Sequence, residues 1–146
     1  MIDKNDRIQL RQIIMEHYTE PEHKGLEEDK NNSFIKYQDS PTCADEINVQ
    51  IIYDHQKIEK SNFDGVTCAI SGAAIDILCG QIENKTKEEA LKLLTNYHAM
   101  IIGNDYDEAM LDELIAFWEI NKQGNRIQCA LLGADGLRHI LENEVK

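Results

Sequence analysis

At 146 residues, with 42% hydrophobic and 29% charged side chains, the chain has the size and composition of a globular protein with one hydrophobic core. A formal charge of −12 with no sustained basic stretch excludes a nucleic-acid-binding surface. No leader-like basic and apolar segment and no run of about 18 apolar residues occurs, so the expectation is a cytoplasmic protein, without a membrane span, forming a single domain over residues 1–146.

Residues 7–17 carry Ile8, Leu10, Ile13 and Ile14 at helical spacing, and Pro21 and Gly25 close that unit, which predicts an N-terminal helix. Three β-rich runs follow at 33–38, 47–53 and 57–63, the middle one alternating through Ile47, Val49, Ile51 and Tyr53. Asp54-His55-Gln56 is short enough for a hairpin turn, so the runs predict a small antiparallel meander. From Ile70 the periodicity becomes helical, with segments near 70–80, 86–101, 107–120 and 129–144. Thr86 and Glu89 have capping-box spacing ahead of Leu91, Leu94 and Met100. The stripe Leu111, Leu114, Ile115 and Trp118 reads as core. Strands followed by helices predict an α+β fold, a small three-stranded antiparallel sheet with helices packed on one face.

Three of the four cysteines fall at element junctions. Cys43 lies in the turn-like stretch 39–45, Cys68 follows Phe63-Asp64-Gly65 and precedes a helix, and Cys129 opens the last helix. Thiols at helix N-termini are favoured as thiolates, the form that binds metals and attacks sulfur. The intervals are long and no CxxC pair occurs, so spacing alone does not separate metal ligands from packed thiols. Cys79, in the apolar run AAIDILCG, reads as a buried helix thiol. The five histidines show no HxxxH-type pairing and read as surface or satisfied groups. The acidic clusters Glu27-Glu28-Asp29 and Asp105, Asp107 and Glu108 read as solvated faces, or as docking points for a basic partner.

The segments SPTCADEI (40–47), FDGVTCAIS (63–71) and RIQCALLGADGL (126–137) resemble the three cysteine motifs of the U-type iron–sulfur assembly proteins, the SufU, IscU and NifU N-terminal group. LRQIIMEHYTEPEHKG (10–25) is similar to that family's first helix and turn. The long interval between Cys68 and Cys129 resembles the SufU branch. So does the absence of the Leu-Pro-Pro-Val-Lys motif, with Gln123-Gly124-Asn125-Arg126-Ile127 in that region and Gln128 where IscU proteins have histidine. The resemblance implies a SufE/NifU-like fold and a zinc held by Cys43, Asp45, Cys68 and Cys129, with Cys43 as persulfide acceptor. It implies a pyridoxal-phosphate-dependent, SufS-like cysteine desulfurase as partner, and downstream iron–sulfur acceptor proteins. Arg126 matches a family arginine that could pair with Asp45 or the thiolates from the second shell; a solvated arginine ahead of a helix is the alternative.

The implied activity is zinc-dependent sulfur transfer, in which Cys43 leaves the metal and attacks the partner's persulfide. The same Cys3Asp set could hold iron, as a scaffold for a [2Fe–2S] cluster passed to clients. A structural zinc in a diverged protein without transfer activity is the third possibility. Departures from the family pattern stand at Ala44 and Thr67, where glycine is usual, at Gln128, where the family has lysine, and at Ala134, where the SufU branch has tryptophan. If the first two sites need positive φ, alanine and especially threonine would reshape the loops.

Overall fold

The structure, a computed structural model, describes residues 2–28, 32–41 and 44–145. Asp6 starts the first helix, α1 (Arg7–Thr19), by accepting the Gln9 N–H at 3.1 Å on its carboxylate. Leu10 and Ile13 face inward, but Ile8 is 74% exposed, so the buried stripe is narrower than the helical spacing suggests.

Strands β1 (Ser33–Asp39), β2 (Glu46–Tyr53) and β3 (Ile58–Val66) form an antiparallel sheet in the order β1-β2-β3. The register sets Lys36 opposite Val49 and Val49 opposite Phe63. The two-residue period of the strand turns Ile47, Val49 and Ile51 to one face, where they are fully buried. Gln50 lies on the other face and is also buried: its amide nitrogen donates to the Glu27 carbonyl and Ser33 Oγ, and its oxygen accepts from Glu27 N–H and Asn62. The expected hairpin turn forms, with the Asp54 carboxylate accepting the Gln56 and Lys57 N–H groups and His55 at φ +86°.

Helices α2 (Ala69–Ile82) and α4 (Ile127–Asn143) pack on the sheet and on each other, and α3 (Lys87–Ile101) packs on α4. α2 is the central element: each residue from Ser71 to Cys79 is buried. The capping box of α3 is present in both directions between Thr86 and Glu89. Inside, Tyr97 meets Phe117 edge to face at 6.4 Å and donates its hydroxyl to the Ala130 carbonyl. α4 begins two residues earlier than the sequence reading, so Cys129 is its third residue.

The segment read as a helix over 107–120 is a chain of 3₁₀ turns: Glu108–Met110, Asp112–Phe117, Ile120–Lys122 and Gly124–Arg126. Its buried residues Leu111, Leu114, Phe117 and Ile120 recur every third position, the 3₁₀ period, with Ile115 added. Asp112 at φ +47° interrupts any continuous α-helix. Trp118, expected in the core, is half-buried beneath the Lys4 and Lys122 ammonium groups, at 4.9 and 5.5 Å from its ring.

A buried carboxylate ties the N-terminal unit to this framework. Asp76, in the middle of α2, accepts the Glu22 and His23 N–H groups on Oδ1 and the His17 ring on Oδ2 at 2.6 Å. The chain then runs along the free edge of β3, where Gly25 N–H bonds the Phe63 carbonyl and Phe63 N–H bonds the His23 carbonyl. His17 and His23 are thus satisfied groups, His23 lying 3.4 Å from Glu83.

Candidate metal centre

The β1–β2 hairpin closes with the Ser40 N–H donating to the Asp45 carbonyl at 3.1 Å, directly below the Asp39–Glu46 strand pair. Asp45 therefore sits at the base of a fixed hairpin, and its side chain is buried. At the far end of β3, Gly65 allows the sheet to close. Its φ is +133°, and a Cβ there would lie 2.2 Å from the Glu46 carbonyl oxygen. β3 then delivers Cys68 as the N-cap of α2, its sulfur accepting the Ser71 N–H at 3.5 Å. Cys129 comes from the first turn of α4 and is buried beside them.

These separate elements bring two thiols and a carboxylate together. One donor atom each from Asp45, Cys68 and Cys129 lies within 4.8 Å of the others. Cys68 N–H donates to Asp45 Oδ1 at 3.1 Å, and Ser71 Oγ–H donates to Oδ2 at 2.6 Å, so the hairpin loop and α2 are joined through the carboxylate. The set fits a zinc ion: ligands about 2.0–2.3 Å from a tetrahedral metal stand roughly 3.3–3.8 Å apart, and thiolates with one carboxylate are a zinc donor set. Thiolate ligation suits iron–sulfur clusters equally.

Of the four expected ligands, the structure brings together Asp45, Cys68 and Cys129, and Cys43, two positions before Asp45 in sequence, lies outside the described residues. Arg126 stands immediately before α4, three residues ahead of Cys129, with its side chain exposed. Thr67 is not among the residues with positive φ, so the strain that threonine would bring there does not arise. Its side chain instead occupies the space over Gly72, where a Cβ would lie 2.5 Å from Thr67 Oγ1. Gln128 is exposed and lines, with Ser40, Asp39 and Asp135, a cleft of about 450 Å³ beside the hairpin loop. Burial pushes the Asp135 carboxyl up from its ordinary range there.

Cys79 is remote in character from this set. It is fully buried, and burial pushes its thiol far up, while Ser61 partly offsets that. Sequence reasoning missed Ser71, whose one signal was its place three residues after Cys68, the N3 position of a helix capped by that thiol.

The family profile described as the NifU-like N-terminal domain matches residues 9–142. The chain belongs to that family. It is 33% identical over 123 residues to the zinc-dependent sulfurtransferase SufU of Bacillus subtilis, covering 84% of this chain and 82% of that protein. To the iron–sulfur cluster assembly scaffold protein IscU of Streptococcus pyogenes it is 28% identical, over 89% of this chain and 80% of the relative. Among solved structures, one described as an iron–sulfur cluster assembly scaffold for the SUF system, from Fervidobacterium islandicum, superposes with a TM-score of 0.81 at 30% identity, covering 92% of this chain and 95% of the other. The α+β architecture expected from the cysteine motifs is therefore the family fold. Among the described residues no helix is long and apolar enough to cross a membrane.

Proposed function

We propose that this protein acts in iron–sulfur cluster assembly as a zinc-dependent sulfurtransferase, taking persulfide sulfur from a cysteine desulfurase onto Cys43. The observation that carries this reading is the convergence of Asp45, Cys68 and Cys129 at the root of the loop that bears Cys43. Cys43, Asp45, Cys68 and Cys129 would hold the metal, which when bound keeps its thiol ligands deprotonated at neutral pH.

Each residue then has a task. Asp45, Cys68 and Cys129 come from the hairpin base and two helix starts, and would hold the metal from those elements. The Cys43 thiolate attacks the outer sulfur of the partner's cysteine persulfide; a new sulfur–sulfur bond forms and the partner's cysteine leaves as thiolate. The proton of the persulfide stays on the transferred sulfur or passes to solvent, and no net oxidation occurs. Pyridoxal phosphate belongs to the desulfurase, which generates the persulfide. Arg126, exposed three residues ahead of Cys129, supplies a cation near the thiols in this reading.

The test is to incubate the zinc-loaded protein with a pyridoxal-phosphate-dependent cysteine desulfurase from the same genome and L-cysteine, then map sulfur by mass spectrometry. One added sulfur on Cys43, absent from Cys43→Ser, is expected. Sulfur appearing instead on Cys79, or on no cysteine while the desulfurase turns over, overturns the reading. The scaffold reading is supported by the Streptococcus relative's name and by a donor set that serves iron as well. It predicts cluster absorption bands when ferrous iron is added to the same mixture, with the cluster as cargo passed to iron–sulfur acceptor proteins.

A further inference from the structure

Ser71 is 1% exposed and touches two of the converging residues at once. Its hydroxyl donates to Asp45 Oδ2 at 2.6 Å and lies 3.6 Å from Cys68 Sγ, while its backbone N–H reaches the same sulfur at 3.5 Å. Cys68 N–H holds the other Asp45 oxygen at 3.1 Å. The carboxylate plane is therefore held at both oxygens, by the Cys68 N–H on Oδ1 and the Ser71 hydroxyl on Oδ2. Removing the hydroxyl takes away the shortest of these contacts, the 2.6 Å bond to Oδ2, and loosens the hold on the carboxylate's orientation.

We propose that Ser71 is a positioning residue for the metal centre: its hydroxyl orients the Asp45 carboxylate toward the metal while its backbone N–H steadies the Cys68 sulfur. The proposal rests on the metal site proposed above. Its consequence is that Asp45, at the hairpin base, and Cys68, the N-cap of α2, are held to each other through the start of α2, so the metal stays held while Cys43 is engaged in taking sulfur. Hydrogen-bond partners of metal-bound carboxylates typically carry about 10- to 100-fold in affinity, which sets the size of the expected effect.

Ser71→Ala isolates the hydroxyl, because the backbone N–H contact to Cys68 remains and alanine favours helix more than serine does. The experiment measures zinc affinity by competition with a chromophoric chelator, and ligand geometry from the visible absorption of the cobalt(II)-substituted protein. Ser71→Ala, Ser71→Thr, Asp45→Ala and Cys68→Ala are compared with wild type, and circular dichroism checks each fold. Ser71→Ala is expected to bind zinc about 10- to 100-fold more weakly and to shift the cobalt bands, and Ser71→Thr, which returns the hydroxyl, to recover both. Affinity within about twofold of wild type and an unchanged cobalt spectrum for Ser71→Ala overturn the proposal. So does failure of the metal-free Ser71→Ala protein to fold, which makes the hydroxyl a structural group. If Asp45→Ala and Cys68→Ala also leave zinc binding intact, the metal site itself is wrong; if they abolish it and Ser71→Ala does not, only the role of Ser71 falls.

Discussion

Two buried carboxylates meet helix α2 at different heights, and they differ in what surrounds them. Asp76 accepts from two backbone N–H groups and the His17 ring, and His17 in turn lies 3.0 Å from Glu113, so the cluster ends in side chains and backbone that fold the N-terminal unit onto the core. Asp45 is also held by a backbone N–H and a side chain, Cys68 N–H and Ser71, but two thiols lie within 4.8 Å of its oxygen. Burial and hydrogen bonding alone do not make a carboxylate functional; the chemistry of the groups beside it does. On this comparison Asp76 is an anchor and Asp45 the proposed ligand.

The sharpest way to break that distinction is to remove the anchor. Asp76→Ala leaves the Glu22 and His23 N–H groups without their acceptor and strips His17 of its buried partner, so a loss of about 3–5 kcal/mol is expected in urea unfolding. The folded fraction at low temperature should still carry wild-type zinc per chain. Zinc lost in proportion to nothing but this substitution would show that the two carboxylates work as one site.

A smaller effect follows from the histidine. Burial opposes charge on His17, but the hydrogen bond to Asp76 and the nearby Glu113 carboxylate outweigh it, so its pKa is raised on folding. That contribution to stability is fully present below the unfolded value of about 6.5 and is lost as pH rises through the higher folded value. Its side chain is partly exposed, and solvent screening keeps the contribution to about 1 kcal/mol or less. A stability–pH profile of wild type against His17→Gln should show the wild-type excess shrinking across that window. Parallel profiles would remove the charge from the anchor.

The smallest expected change is at Arg126. Exposed in this structure, its replacement by alanine should leave stability within about 0.5 kcal/mol and zinc content at the wild-type level, while sulfur acceptance by Cys43 slows. Zinc loss in Arg126→Ala would place its guanidinium among the groups that hold the metal-binding side chains, and so blur the line between ligand shell and surface.

Much of this was legible in the sequence, for identifiable reasons. The alternation of Ile47, Val49 and Ile51 specified β2 and its buried face, and Thr86 with Glu89 specified the start of α3, because each signal is local. The cysteine segments pointed to Asp45, Cys68 and Cys129 as one cluster across more than eighty residues of chain, something periodicity cannot do. The stretch after Asp107 was misread because Leu111, Leu114 and Ile115 suit a 3.6-residue period as well as a period of three; only Phe117 and Ile120, buried in place of Trp118, separate them. Asp76 was hidden in an apolar run, and its partner His17 is 59 residues away, with no local pattern linking them. Ser71 reads like any serine in the first turn of a helix, because its partner Asp45 lies 26 residues away with no local pattern linking them.

The metal site is tested most directly by the metal content of the protein purified without added metal, measured for wild type and for Cys43→Ala, Asp45→Ala, Cys68→Ala and Cys129→Ala. About one zinc per chain is expected in wild type, lost or weakened in each of the four variants. Little metal in wild type, or occupancy indifferent to these four residues, would contradict a zinc site here and leave a family fold whose thiols do something else.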